Sequence, residues 1–153
     1  IVDELESAQY TQADATFKGA ECELKSQLNA NWRLRVFGDY VRDTLDGGGD
    51  LPRIAPMRFG SAISFDKNRW TSNLSLTRAA KQKHPGNNQS ATEAYTRIDA
   101  QISYRVAKNT AEYLIFVKGS NLLDEEIRNP SSYLRDIAPE AGRGIQAGLR
   151  LTF

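Results

Sequence analysis

The last nine residues constrain the fold more than any other stretch of the chain. From Ile145 the apolar side chains fall at every second position, Ile145, Ala147, Leu149, Leu151 and Phe153, with Gln146, Gly148, Arg150 and Thr152 between them. A period of two sends successive side chains to opposite faces of an extended strand, whereas a helix needs apolar residues three and four apart. The segment is therefore expected to be a strand with one apolar and one polar face.

The alternation recurs upstream. Ile98, Ala100, Ile102, Tyr104 and Val106 alternate with Arg97, Asp99, Gln101, Ser103 and Arg105. Trp32, Leu34, Val36, Gly38 and Tyr40 alternate, less cleanly, with Arg33, Arg35, Phe37, Asp39 and Val41. Met57, Phe59, Ser61, Ile63 and Phe65 form a third stripe, and Trp70, Ser72, Leu74 and Leu76 a fourth. Ala20, Cys22, Leu24 and Leu28 oppose Gly19, Glu21, Glu23, Lys25 and Gln27. Residues 113–119 are more apolar on both faces, because Leu114 and Phe116 join Tyr113, Ile115 and Val117. This pattern predicts an all-β, antiparallel up-and-down meander of about seven strands.

The connections alternate in length. Short turns are expected at Asn29-Ala30-Asn31, Asp66-Lys67-Asn68-Arg69 and Ala107-Lys108-Asn109-Thr110, and long ones near residues 43–55, 79–94 and 120–142. The prolines fall in the long connections or, as with Pro56, at the start of a strand, which suits continuous pairing elsewhere. Short turns at one end and long loops at the other are the layout of outer-membrane barrels.

Bulk composition excludes several functions. Lys+Arg number 20 against 19 Asp+Glu, so the basic surplus that backbone phosphates require is missing and no nucleic-acid partner is expected. No run of about 18 apolar residues exists, which rules out a transmembrane helix but not a barrel, whose strands alternate. The single Cys22 cannot form an internal disulfide, and the single His84 has no second histidine with which to share a metal. Neither a Cys–His nor a Ser–His–Asp arrangement is supported, so no enzyme, metal site or cofactor is expected. Carboxylates cluster in the last long connection at Asp124, Glu125, Glu126, Asp136 and Glu140. The interleaved Arg128, Arg135 and Arg143 make mutual ion pairing the better account than metal binding.

Alternation does not say whether the apolar face meets lipid or a soluble core. The rings favour lipid: Trp32, Phe65, Trp70, Tyr104, Tyr113 and Phe153 all belong to the apolar face and lie beside a short turn or the final residue. Such a belt is expected at a membrane interface. A stripe such as 32–40, about eight residue steps long, spans roughly 20 Å at ~3.3 Å per residue and ~40° tilt, close to the ~25 Å apolar band of membrane barrels. The other face carries Glu21, Glu23, Lys25, Arg33, Arg35, Asp39, Arg97, Asp99 and Arg105, charges of both signs that suit a wet or plugged lumen.

Several segments resemble the end of TonB-dependent outer-membrane receptors: Tyr95-Thr96-Arg97-Ile98-Asp99-Ala100, Phe116 through Gly119-Ser120-Asn121-Leu122-Leu123-Asp124, and Gly142-Arg143-Gly144 leading into the terminal strand. Upstream, Ala13 through Gly19-Ala20-Glu21 is similar to a strand motif of the family. The resemblance implies that residues 1–153 form one C-terminal segment of a barrel of about 22 strands in the bacterial outer membrane. The plug and the N-terminal strands are expected outside these residues. It further implies active uptake of a scarce nutrient, an iron chelate or another metal complex, captured at the external loops and driven by the TonB complex acting through the N-terminal region. Outer-membrane lipid is an implied partner. So is the barrel-assembly machinery, which in the family reads a C-terminal aromatic with alternating apolar residues, here Phe153, Leu151, Leu149, Ala147 and Ile145. A sheet with free edges and one apolar face is expected to self-associate in isolation. Two other classes fit the pattern: a soluble small barrel holding an apolar ligand, and a passive porin segment.

Overall fold

The computed structural model describes residues 12–86, 89–108 and 110–153. Parts of the expected connections at 79–94 and 107–110, namely Asn87, Asn88 and Asn109, lie outside the described residues. Seven strands form one sheet: β1 (Ala15–Gln27), β2 (Trp32–Leu45), β3 (Arg58–Lys67), β4 (Trp70–Ala79), β5 (Tyr95–Lys108), β6 (Ala111–Ser120) and β7 (Gly144–Thr152). Their spatial order is their sequence order and every pair is antiparallel, so the sheet is a meander as expected.

The turns have local causes. The Asn29 side-chain oxygen accepts the N–H groups of Asn31 at 3.0 Å and Trp32 at 3.1 Å, closing the β1–β2 turn. Asn68 takes a left-handed φ of 57° between β3 and β4, a conformation asparagine tolerates better than most residues. Three strands run further toward the long loops than the alternation suggests: β1 starts at Ala15, β2 ends at Leu45 and β5 starts at Tyr95. There Thr16 faces Thr44 and Lys18 faces Arg42, so polar residues occupy the formerly apolar stripe while the backbone ladder continues. A ladder needs only backbone donors and acceptors, and the side-chain pattern does not reveal where it stops.

The sheet has no ordinary core. Its large apolar side chains lie open on one face, Leu24 at 60%, Ile115 at 51% and Leu149 at 64% exposure. Ala79 and Ile127 are the buried apolar residues among those described, and Ile127 sits in the last long loop. A contiguous apolar surface of this extent must face lipid or another surface.

Candidate functional site

Cross-strand register places the two sets of residues on opposite faces of the sheet. One row of paired positions runs Trp32, Phe65, Ser72, Ile102, Val117 and Ala147. The next row toward the short turns is Lys67, Trp70, Tyr104, Ile115 and Leu149, and the one after is Val106, Tyr113 and Leu151. The rings therefore form a stepped line. Trp32 and Phe65 touch with centroids 4.8 Å apart, and Trp70 and Tyr104 do so one row lower at 4.6 Å. Tyr113 is a further row down, and Phe153 follows Leu151 beyond that.

From β2 to β7 the line drops six residues over five strand spacings, which at ~3.3 Å per residue and ~4.8 Å per strand inclines it by ~40° to the sheet's hydrogen-bonding direction. That incline equals the strand tilt of closed barrels, so rings that zigzag along the rows stand at one height once the strands are tilted. At the other end of the stripes Tyr40, Phe59 and Arg78 follow the same incline.

The opposite face holds the charged set. The Glu23 carboxylate lies 2.5 Å from both Lys25 Nζ and an Arg35 guanidinium nitrogen. Asp39 pairs with Arg58 at 3.0 Å, Arg97 with Asp99 at 2.9 Å and with Glu140 at 3.0 Å, and Arg105 with Glu112 at 3.5 Å. Glu21 and Arg33 share this face and form no ion pair among the described residues. Two aromatic residues that interrupt the polar pattern have a packing reason. Phe37 lies over Gly60, its register partner, and Phe116 lies over Gly148, also its partner. A ring covering a cross-strand glycine replaces the missing side chain and shields the backbone. Phe37 also carries the Arg35 guanidinium 4.7 Å above its ring.

The Asn-Leu-Leu-Asp segment is a clasp at the base of the last long loop. Asn121 is buried in a left-handed conformation (φ 47°). Its N–H donates to Asp99 at 2.9 Å, its side-chain amide donates to the Glu125 and Ala141 carbonyls at 2.8 and 3.3 Å, and its side-chain oxygen accepts from Glu125 N–H at 3.1 Å. The Asp124 carboxylate accepts Arg143 N–H at 2.8 Å, tying the start of the loop to its end. Leu122 folds onto Gly119. The sequence marks this segment only as a family-like motif. Its clasping role depends on Asp99, more than twenty residues away, which periodicity had assigned simply to the charged face.

The three long loops, residues 46–57, 80–94 and 121–143, interlock at the same end of the sheet. Gln82 donates to the Ile54 carbonyl, and Arg53 N–H donates to Gln89 at 3.0 Å. His84 Nδ1 stands 3.6 Å from the Asp50 carboxylate, which also pairs with Arg42 at 3.0 Å. The last loop joins this body through Arg135, which is 2% exposed and donates to the Ser90 carbonyl. Ser90 Oγ donates to Asp136 at 2.6 Å, and the Arg53 guanidinium stacks 3.8 Å from the Tyr133 ring. The Ser90 hydroxyl, and then the Arg135 guanidinium, hold the Asp136 carboxyl below the usual carboxylate range. Pairs Glu126–Arg128, Arg135–Asp136 and Asp124–Arg143 match the ion pairing expected of this loop.

Residues 2–122 match the family described as TonB dependent receptor-like, beta-barrel. The match ends inside the clasp, so the terminal strand lies past it. Among solved structures the chain is similar to a copper transporter, OprC, with a TM-score of 0.79 and 20% identity, over 91% of this chain and 24% of that one. The chain thus spans about a quarter of that transporter's length, and the likeness shows the same sheet architecture. With the family matched over most of its residues, the chain belongs to the TonB-dependent receptor β-barrels.

Proposed function

We propose that this chain is a wall segment of a TonB-dependent receptor in the bacterial outer membrane. The apolar face meets lipid, the face bearing Glu21, Glu23, Lys25, Arg33, Arg35, Asp39, Arg97, Asp99 and Arg105 lines the lumen, and the interlocked loops stand outside the cell. There they contribute to capture of a scarce nutrient, an iron chelate or another metal complex, whose import is driven by TonB acting through a region outside this chain. The observation that carries this reading is the ring line, inclined by the ~40° at which barrel strands tilt. A soluble barrel with its apolar face inside gives its rings no reason to keep one height. The copper named for the structural neighbour puts copper complexes beside iron chelates among the cargoes to try.

Single-cysteine labelling in intact cells tests the topology. In the full-length receptor with Cys22→Ser, a Tyr133→Cys variant is expected to react with a membrane-impermeant maleimide, and an Asn68→Cys variant only after the cells are broken. The reverse pattern, or equal labelling of both, sinks the assignment. Removal of residues 125–140 from the same receptor should abolish uptake of the radiolabelled cargo while leaving the barrel in the membrane.

A further inference from the structure

The apolar face is not level. Across β4, β5 and β6 it carries a trough of about 430 Å³, floored by the small residues Ser72, Ala100 and Gly119 and walled by Trp32, Ile102 and Leu122. Register explains the hollow. Ala100 pairs directly with Gly119, and Ser72 sits one row away, so three small residues adjoin among the larger Leu74, Ile102, Val117 and Ile145.

Arg78 lies above the trough on the same face of β4. It stands four residues, ~13 Å along the strand, beyond Leu74 in the trough wall, a distance within the ~15 Å depth of one leaflet's hydrocarbon. It shares the incline of Tyr40 and Phe59 and so stands at the long-loop edge of the apolar band. Its side chain donates to Thr96 Oγ1 at 2.8 Å, and no carboxylate pairs with it among the described residues. Of the other cations near this rim, Lys18 and Arg42 lie on β1 and β2, where Arg42 is bound to Asp50, and Lys81 and Lys83 lie in the loop after β4, where Lys81 is bound to Glu93. An arginine without a carboxylate at headgroup height attracts phosphate, and guanidinium matches phosphate in geometry as well as charge.

We propose that the trough and Arg78 together form a site for one anionic membrane lipid of the long-loop leaflet, its acyl chain in the trough and its phosphate on Arg78. This rests on the lipid-facing reading of the apolar face, and the experiment separates the two. Delipidated full-length receptor is titrated with dimyristoyl phosphatidylglycerol or with uncharged dimyristoylglycerol, and retained lipid is counted by native mass spectrometry. Arg78→Gln should weaken retention of the first phosphatidylglycerol about fivefold and leave dimyristoylglycerol unchanged. Ala100→Leu, which fills the trough, should weaken both lipids alike. Retention untouched by either variant, or a loss with Arg78→Gln that is equal for both lipids, overturns the proposal. In parallel, brominated acyl chains in reconstituted vesicles should quench Trp32 and Trp70 in wild type and in both variants. Failure to quench wild type overturns the lipid-facing reading itself, whereas quenching with unchanged retention removes only the site. Preserved quenching in a variant also shows that it has folded.

Discussion

Gly148 shows how a single residue answers to its partner across the strands. A Cβ built there meets Phe116 Cζ at 2.5 Å and Cε1 at 2.8 Å, so Gly148→Ala forces the ring off the backbone it covers. Overfilling of this kind costs about 1–3 kcal/mol. In the refolded full-length receptor the variant should therefore lower the urea midpoint, and adding Phe116→Leu should recover most of the loss. Equal midpoints for Gly148→Ala and wild type would show that the ring has room to move. From the sequence, Phe116 only blurs the alternation of its strand, because a period-2 pattern holds no information about which residue lies opposite. Asn121 is similar. It reads as part of a motif, and only the fold shows that it satisfies four hydrogen bonds in a buried turn, each worth about 0.5–1.5 kcal/mol net.

At the level of elements the strands and loops differ in how far they can be read. Strand existence and facing follow from alternation, and each stripe falls on one of the seven strands, though three strands run on beyond their stripes. Loop architecture does not, since it depends on side chains such as Arg53, Ser90 and Arg135 meeting across three separate connections. The junction between the second and third loops should respond to acid. Because Asp136 is held below the usual carboxylate range in the folded protein, its contribution is fully present above the ordinary aspartate value. It is lost as pH falls through the depressed folded value. The site is open to solvent, so the effect is local undocking of the loop and not global unfolding. Protease nicking of residues 121–143 in the full-length receptor should rise in acid in the wild type, using an acid-active protease. The Asp136→Asn variant should show raised nicking at every pH and no step, and a wild-type profile for it would contradict the contact.

For the whole molecule the decisive fact is that β1 and β7 each have one edge without a strand partner among the described residues. Edges of nine to thirteen residues beside an open apolar face are expected to pair with further strands of the same barrel. Phe153 lies at the end of that edge, 95% exposed, on the stepped line of rings. We propose that it acts with Leu151, Leu149, Ala147 and Ile145 as the segment read by the barrel-assembly machinery. Phe153→Ala in the full-length receptor is expected to lower the amount of folded receptor in the outer membrane several-fold, measured by fractionation. Unchanged amounts would leave Phe153 a lipid-facing ring with no part in assembly.

By itself the sequence determined the strands, their two faces and the segregation of short turns from long loops. All three follow from local alternation and from where proline and glycine can sit. It also determined which residues are rings beside a turn. The tertiary structure alone decided the stagger between strands, and hence the ~40° incline of the ring line, which matches the strand tilt of closed barrels. It alone brought Ser72, Ala100 and Gly119 together, set Phe37 and Phe116 over their glycines, and joined Asp99 to Asn121. These are contacts between residues distant in sequence. Their positions depend on register, which is set by how whole strands pair and not by any one strand's pattern.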